Sequence, residues 1–271
     1  MPIVVHAETH RLSQEEFRET SYQVMGCLFE IHNRFGRLFD EQVYRREVAS
    51  RCNGVAEVPV EITHAGFQKF LFIDLLVGHG AVFELKAVHA LHERHRAQLL
   101  QYLMMAELSH GKLVNLRHET VEHEFVNTSL TIADRTAFTI CDDEWDGSLP
   151  GSAIVRTATE DILRDVGTGL DTNLYEELVA HGLGGDDLVQ REVEIVSNGR
   201  AICRQKLRHS SSQTHFRFTA LDKPSRSRYA CHLQRFLNHT SLDGIHWINT
   251  TRQEVRFTTL TRSNSGTKRM S

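Results

Sequence analysis

The chain has 271 residues, 40% of them hydrophobic and 24% charged, with a net charge of −4. This describes one large globular domain or two small ones. No apolar run is long enough to span a bilayer and no charged-then-apolar leader opens the chain, so the expectation is a cytoplasmic protein with no membrane partner. The five cysteines (Cys27, Cys52, Cys141, Cys203 and Cys231) are scattered without a Cys-x-x-Cys pair, which fits a reducing compartment and speaks against a zinc ribbon or an iron–sulfur cluster.

In chain order, Ser13 and Glu16 form a capping-box pattern, with Phe17, Val24, Leu28 and Ile31 following at helical spacing. The spacing predicts a helix over 14–33, ended by Phe35-Gly36. A second helix is expected over 39–51, carrying Glu41 and Tyr44. Strands are expected over 57–64, 68–77 and 81–87, then a helix over 91–108 and strands over 112–116 and 121–126. This order implies an α/β unit with a mixed β-sheet flanked by helices. His89, His92 and His95 only roughly follow one helix face, and they read as solvated surface histidines rather than as a zinc site. Residues 134–159 include the acidic, turn-rich run from Cys141 to Gly151 and read as a linker between a unit 1–133 and a unit 160–271.

The second half repeats the pattern of the first. Asp40 and Tyr44 match Asp171 and Tyr175, Val60-Glu61-Ile62 matches Val193-Glu194-Ile195, and Gly66 matches Gly199. Phe83, Ala87, Leu103, Asn115 and Phe125 match Phe216, Ala220, Leu237, Asn249 and Phe257, all at offsets of 131–134 residues. Duplication into two similar units, with a pseudo-dimer within one chain, is the expectation; chance similarity of two α/β patterns is the alternative. The charged positions do not repeat: Glu41, Glu84 and Lys86 fall opposite Thr172, Arg217 and Thr219, and the strand of Asp74 falls opposite 201–208.

The chemistry concentrates in 72–86. Side chains alternate along a strand, so Glu84 and Lys86 share one face, and Asp74 joins them if its strand pairs as a hairpin across 78–80. Hard oxygen ligands on a rigid sheet suit Mg²⁺ or Mn²⁺. A lysine beside them is what phosphodiester hydrolysis needs to orient the nucleophile and stabilise developing charge. On spacing alone, a surface hairpin with a solvated Glu-x-Lys is the commoner arrangement.

Asp74…Glu84-Leu85-Lys86 resembles the core of the PD-(D/E)XK nuclease superfamily, whose fold is restriction-endonuclease-like. Gly36-Arg-Leu-Phe-Asp-Glu41-Gln-Val-Tyr44 resembles the motif of its GxxExxY branch, and Gln98-x-x-x-Tyr102 is similar to the helix motif of RecB-like nucleases. The resemblance covers about residues 13–130; one departure is Leu38, where the branch has a second glycine. It implies a Mg-dependent deoxyribonuclease with Asp74, Glu84 and the Leu85 carbonyl as metal ligands and Lys86 as the catalytic lysine. Glu41 would be an additional acid near the metal, and Gln98 and Tyr102 would approach the scissile phosphate or steady the lysine. His32 either joins this site or bonds carbonyls at its helix end, and Tyr44 is half core rather than catalytic. DNA or RNA would be the partner.

In the second half, residues 200–271 hold 14 Lys and Arg against 3 Asp and Glu, whereas residues 1–130 hold 13 against 17. Arg204, Lys206 and Arg208 alternate along one strand and Arg217 would lie on its neighbour. Two readings stay open: a degenerate copy that grips nucleic acid, or a basic face that meets the acidic part of the chain. For the whole protein the readings are a metal-dependent nuclease with one site in the first half, or a non-catalytic nucleic-acid-binding or scaffold protein that keeps the nuclease fold.

Overall fold

The computed structural model describes residues 2–262, so Lys268 and Arg269 of the basic stretch lie outside the described residues. The chain divides into two compact units, Met1–Asp134 and Arg135–Ser271.

The first unit starts with a short strand β1 (Ile3–Val5), then helices α1 (Gln14–Phe35) and α2 (Glu41–Arg51). The capping box forms: the Ser13 hydroxyl accepts from Glu16 N at 3.3 Å and the Glu16 carboxylate accepts from Ser13 N at 2.8 Å. Gly36 stops α1 at φ +73°, a conformation glycine adopts without Cβ strain. Leu38 is not among the residues at positive φ, so replacing the second motif glycine with leucine imposes no left-handed strain on this turn; its side chain is exposed.

Strands β2 (Val55–His64), β3 (Phe67–Val77) and β4 (Ala81–Lys86) follow, then α3 (Glu93–Met105), β5 (His110–Asn115) and β6 (Glu122–Asn127). They form a six-stranded sheet in the order β1-β2-β3-β4-β5-β6, antiparallel except for the parallel pair β4–β5. A parallel pair needs a crossover, and α3 supplies it. The sheet is therefore mixed and flanked by helices, as expected. Strand β1 is not anticipated in the sequence because three residues carry too little period to read; its pairing with β2 creates it.

The apolar stripe of α1 (Phe17, Val24, Leu28, Ile31) packs with Tyr44 and Val48 of α2 on Leu75, Val77, Ala81, Phe83, Leu85 and Val114. Alternation then turns Asp74, Val82, Glu84 and Lys86 to the other face. That face carries α3, whose Leu99 meets Gly111 so closely that a Cβ there would lie 2.9 Å from it.

The short helix α4 (Ile132–Thr136) stands at the division between the units. The second unit continues with β7 (Thr139–Glu144), α5 (Ser152–Val166), α6 (Thr172–Gly182), α7 (Asp186–Val189), β8 (Gln190–Ser197), β9 (Arg200–Arg208), β10 (Thr214–Thr219), α8 (Lys223–Asn238), β11 (Gly244–Thr250) and β12 (Glu254–Thr261). Strands β10-β11-β12-β7 form one sheet with β10–β11 parallel, and β8–β9 form a separate ribbon. Residues 134–159 are thus not a plain linker: β7 pairs in parallel with β12, and α5 buries Val155, Ile162 and Leu163. The acidity that reads as a turn sits on an edge strand, where exposed charge discourages further pairing.

The β8–β9 ribbon meets β10 at the bridge His209↔His215 and through the His215 ring on Arg208 O, and Val193 and Leu207 pack with Leu233 and Leu237 of α8. Among the described residues no helix is long and apolar enough to cross a membrane.

Candidate active site

The site lies where β3 and β4 part. Their pairing runs Val77↔Ala81, Leu76↔Val82 and Leu75↔Phe83 and stops there. The next residue of β3, Asp74, replaces the ladder with its side chain: Oδ2 accepts from Leu85 N at 2.9 Å. Its other oxygen takes a hydrogen bond from Arg45 Nη1 at 2.5 Å, and Arg45 Nη2 reaches Glu57 at 2.7 Å.

Glu84 is fully buried, with one oxygen accepting from Lys86 Nζ at 2.6 Å and Oε2 without a partner among the described residues. Burial first, and then the Asp74 charge, push its carboxyl up to about 8. Burial lowers the Lys86 ammonium, but Glu84, Asp74 and Glu41 together outweigh it and hold the lysine above its ordinary value. Lys86 is also 3.9 Å from Asp74 Oδ2.

Glu41, the first residue of α2, accepts from Ala87 N at 2.9 Å and so ties α2 to the backbone next to Lys86. Arg45 stands one turn later on the same helix face. From α3, Gln98 Nε2 donates to Tyr102 Oη at 3.3 Å. Burial raises the Tyr102 hydroxyl, and Glu84 and Asp74 add to the rise. The structure therefore brings Glu41, Asp74, Glu84, Leu85, Lys86, Gln98 and Tyr102 to one end of the sheet.

Three contributors are not read from the sequence. Arg45 is one; its signal was the spacing of four from Glu41. Asn115, opposite Lys86 in the β4–β5 register, clamps the chain beyond the lysine: its amide donates to Val88 O at 2.9 Å and accepts from Val88 N at 3.1 Å. The third is His95, which corrects the reading of three solvated histidines. His89 and His92 are exposed, but His95 is buried. Burial first, then Arg94 and Lys86, lower its ring, while Glu41 raises it. Of the other residues considered, His32 bonds His118 O at 2.9 Å at the end of its helix, and Tyr44 donates to Gly36 O at 2.6 Å within the core.

Residues 18–127 match the PD-(D/E)XK nuclease superfamily. The match lies wholly within the first unit and supports a nuclease-like function with a nucleic-acid partner. A solved structure titled "Crystal structure of SSO0001" is similar at 18% identity, covering 48% of this chain and 72% of that one, with a TM-score of 0.28. No curated protein matches the sequence.

Nucleases of this superfamily generally use divalent metals. Among the described residues no three acidic, histidine or cysteine side chains gather into a ready metal cage. Two carboxylates and a carbonyl are hard oxygen donors, and a cation that keeps several waters needs no more from the protein. The orphaned Glu84 Oε2 is a buried acceptor that such an ion would satisfy, so the donor set fits.

In the sequence pattern of the second unit, three of the site's charges meet the opposite sign, whereas Glu41 and Lys86 fall opposite the neutral Thr172 and Thr219. Offsets of 134 and 133 put Arg208 and Arg217 where Asp74 and Glu84 stand, and an offset of 131 puts Glu176 at the place of Arg45. Glu176 is buried and lies 3.3 Å from both arginines, and Arg208 also pairs with Asp186 at 2.8 Å. On the exposed face of β9, Arg204 lies 3.6 Å from Glu192, and Lys206 is the register partner of Glu192. The four basic residues named from the sequence therefore each stand beside acids of their own unit.

Proposed function

We propose that the first unit is a metal-dependent deoxyribonuclease of the GxxExxY branch, hydrolysing phosphodiester bonds at Asp74, Glu84 and Lys86. Glu84 carries this reading. A fully buried carboxylate with one oxygen on a lysine and the other unpartnered is expensive unless a cation joins it. Asp74, Glu84 and the Leu85 carbonyl would hold Mg²⁺ or Mn²⁺. Such an ion, when bound, polarises the phosphoryl oxygens and lowers the pKa of a water.

The remaining work falls to the chain's own groups. Lys86, kept charged by its acidic neighbours, offers a cation where phosphoryl charge grows in the transition state. Glu41 and Asn115 fix the backbone on either side of Ala87, which limits the positions Lys86 can take. Tyr102 keeps its proton and donates toward the scissile phosphate, with Gln98 orienting its hydroxyl.

Cleavage of plasmid and single-stranded DNA with Mg²⁺ or Mn²⁺ tests this, comparing wild type with Lys86→Ala and Asp74→Ala. Both variants should lose activity; unchanged activity in both ends the assignment. One observation favours the second reading, a non-catalytic binding or scaffold protein: Arg45 already neutralises Asp74, so a metal must compete with it. Absence of cleavage by the wild type with either ion would select that reading.

We further propose that the second unit is a degenerate copy of the first. Tyr175 donates to Gly167 O at 2.7 Å as Tyr44 does to Gly36 O. Asn249 clamps Leu221 N and O at 2.8 and 3.0 Å as Asn115 clamps Val88. Asn249 also faces Thr219 in a parallel pair as Asn115 faces Lys86. Arginines in place of the acids leave that copy without a cation site.

A further inference from the structure

The first unit has more acids than bases, yet one wall of it gathers cations. A groove of about 790 Å³ opens beside the backbone of Ala87 and Val88, immediately past Lys86. Arg37, Arg94 and Arg117 line it, together with His89, His92 and His118. Arg117 is held in place: Nε donates to Ala87 O at 3.0 Å and Nη1 to Arg37 O at 3.2 Å. A guanidinium has five N–H donors, so this anchoring leaves others for an anion.

Little carboxylate competes for the three arginines, although His118 stands 3.5 Å from Glu122. Arg37 is 3.8 Å from Glu119, with both side chains largely in water, and such a pair is weak. Arg94 lies 3.3 Å from the His95 ring and has no acid partner among the described residues. His92, which caps α3, places the positive end of a helix dipole at the same groove.

We propose that this groove binds the phosphodiester backbone of the substrate strand, with Arg37, Arg94 and Arg117 contacting successive phosphates as the strand leaves Lys86. The inference rests on the nuclease reading and assigns the strand's path. It also accounts for how an acidic unit holds a polyanion: charge is concentrated along one track rather than spread over the surface.

The test is fluorescence anisotropy of a labelled DNA strand and an RNA strand of the same sequence, binding to the full-length protein in EDTA, where metal-dependent cleavage cannot intervene. Arg37→Ala and Arg94→Ala, both on exposed side chains, should each raise Kd several-fold and reduce the slope of log affinity against log salt by about 0.7. Arg18→Ala, on the outer surface of α1, should change neither. Charge reads phosphate rather than sugar, so both strands should respond alike. If the wild type cleaves and binds while Arg37→Ala and Arg94→Ala keep its Kd and slope, the groove is overturned and the nuclease reading stands. A wild type that neither cleaves nor binds either strand overturns both.

Discussion

The Arg45 guanidinium lies 2.5 Å from the Asp74 carboxylate, joining α2 to the point where β3 leaves the sheet. The pair is 29 residues apart in sequence, and both side chains are nearly enclosed. Arg45→Gln removes the counter-charge and leaves Asp74 facing Glu84 with Lys86 as its nearest cation. Breaking a pair this deeply placed costs about 3 kcal/mol. If Asp74 is a metal ligand, saturating Mg²⁺ should recover part of that loss, because bound cation stabilises the folded state. Thermal unfolding of the variant with and without Mg²⁺ checks this; an identical loss in both conditions would count against Asp74 as a ligand.

In the second unit the same relationship runs with exchanged signs between Glu176 and Arg208. Glu176 also accepts from Phe218 N at 3.0 Å. Glu176→Ala therefore strips two arginines of their shared acid and orphans a buried N–H, for an expected loss of about 3 kcal/mol. Chemical denaturation gives the value. A change within experimental error would mean that solvent already screens the arginines.

Cation stoichiometry tests the contrast between the units. One Mn²⁺ should bind per chain, counted by calorimetry, and Glu84→Gln should abolish it by removing a carboxylate whose ionised form the metal requires. A second equivalent persisting in Glu84→Gln would place a cation site where none is expected.

The second unit should also be acid-sensitive through His246. This ring is fully buried, with its two nitrogens on the Ser152 and Ser210 hydroxyls at 2.8 and 2.9 Å. Burial lowers it from its ordinary 6.5 to about 4, partly opposed by Asp146. Between those values the unfolded chain takes up a proton that the folded one refuses. The stabilisation is thus complete above 6.5 and is lost as pH falls toward 4. Trp145 packs 4.7 Å from the His246 ring and supplies a fluorescence reporter. The urea midpoint should drop between about pH 7 and about pH 5, and His246→Gln should lessen the drop. An undiminished drop in the variant would assign the sensitivity to other groups, of which His215, lowered the same way by burial, is the first to examine.

Much of the first unit was legible in the residues themselves. The Ser13–Glu16 box, the Phe17–Ile31 stripe and the alternation across 72–86 are local patterns, and helices and strands follow such patterns because backbone geometry fixes which side chains share a face. The same alternation placed Glu84 and Lys86 together and left Asp74 one strand away. What only the tertiary structure decided was partnership. Nothing local pairs Arg45 with Asp74, Asn115 with Val88 or Glu176 with Arg208 and Arg217, since those groups meet only when distant elements pack. His95 reads as a surface residue until α3 lies on the sheet beside Lys86. The edge strands β1 and β7 are too short, or too acidic, to announce themselves and exist by virtue of the strand they join. Sequence determined which residues face the site; packing determined which charges there are satisfied, because burial and ion pairing depend on contacts that periodicity does not encode.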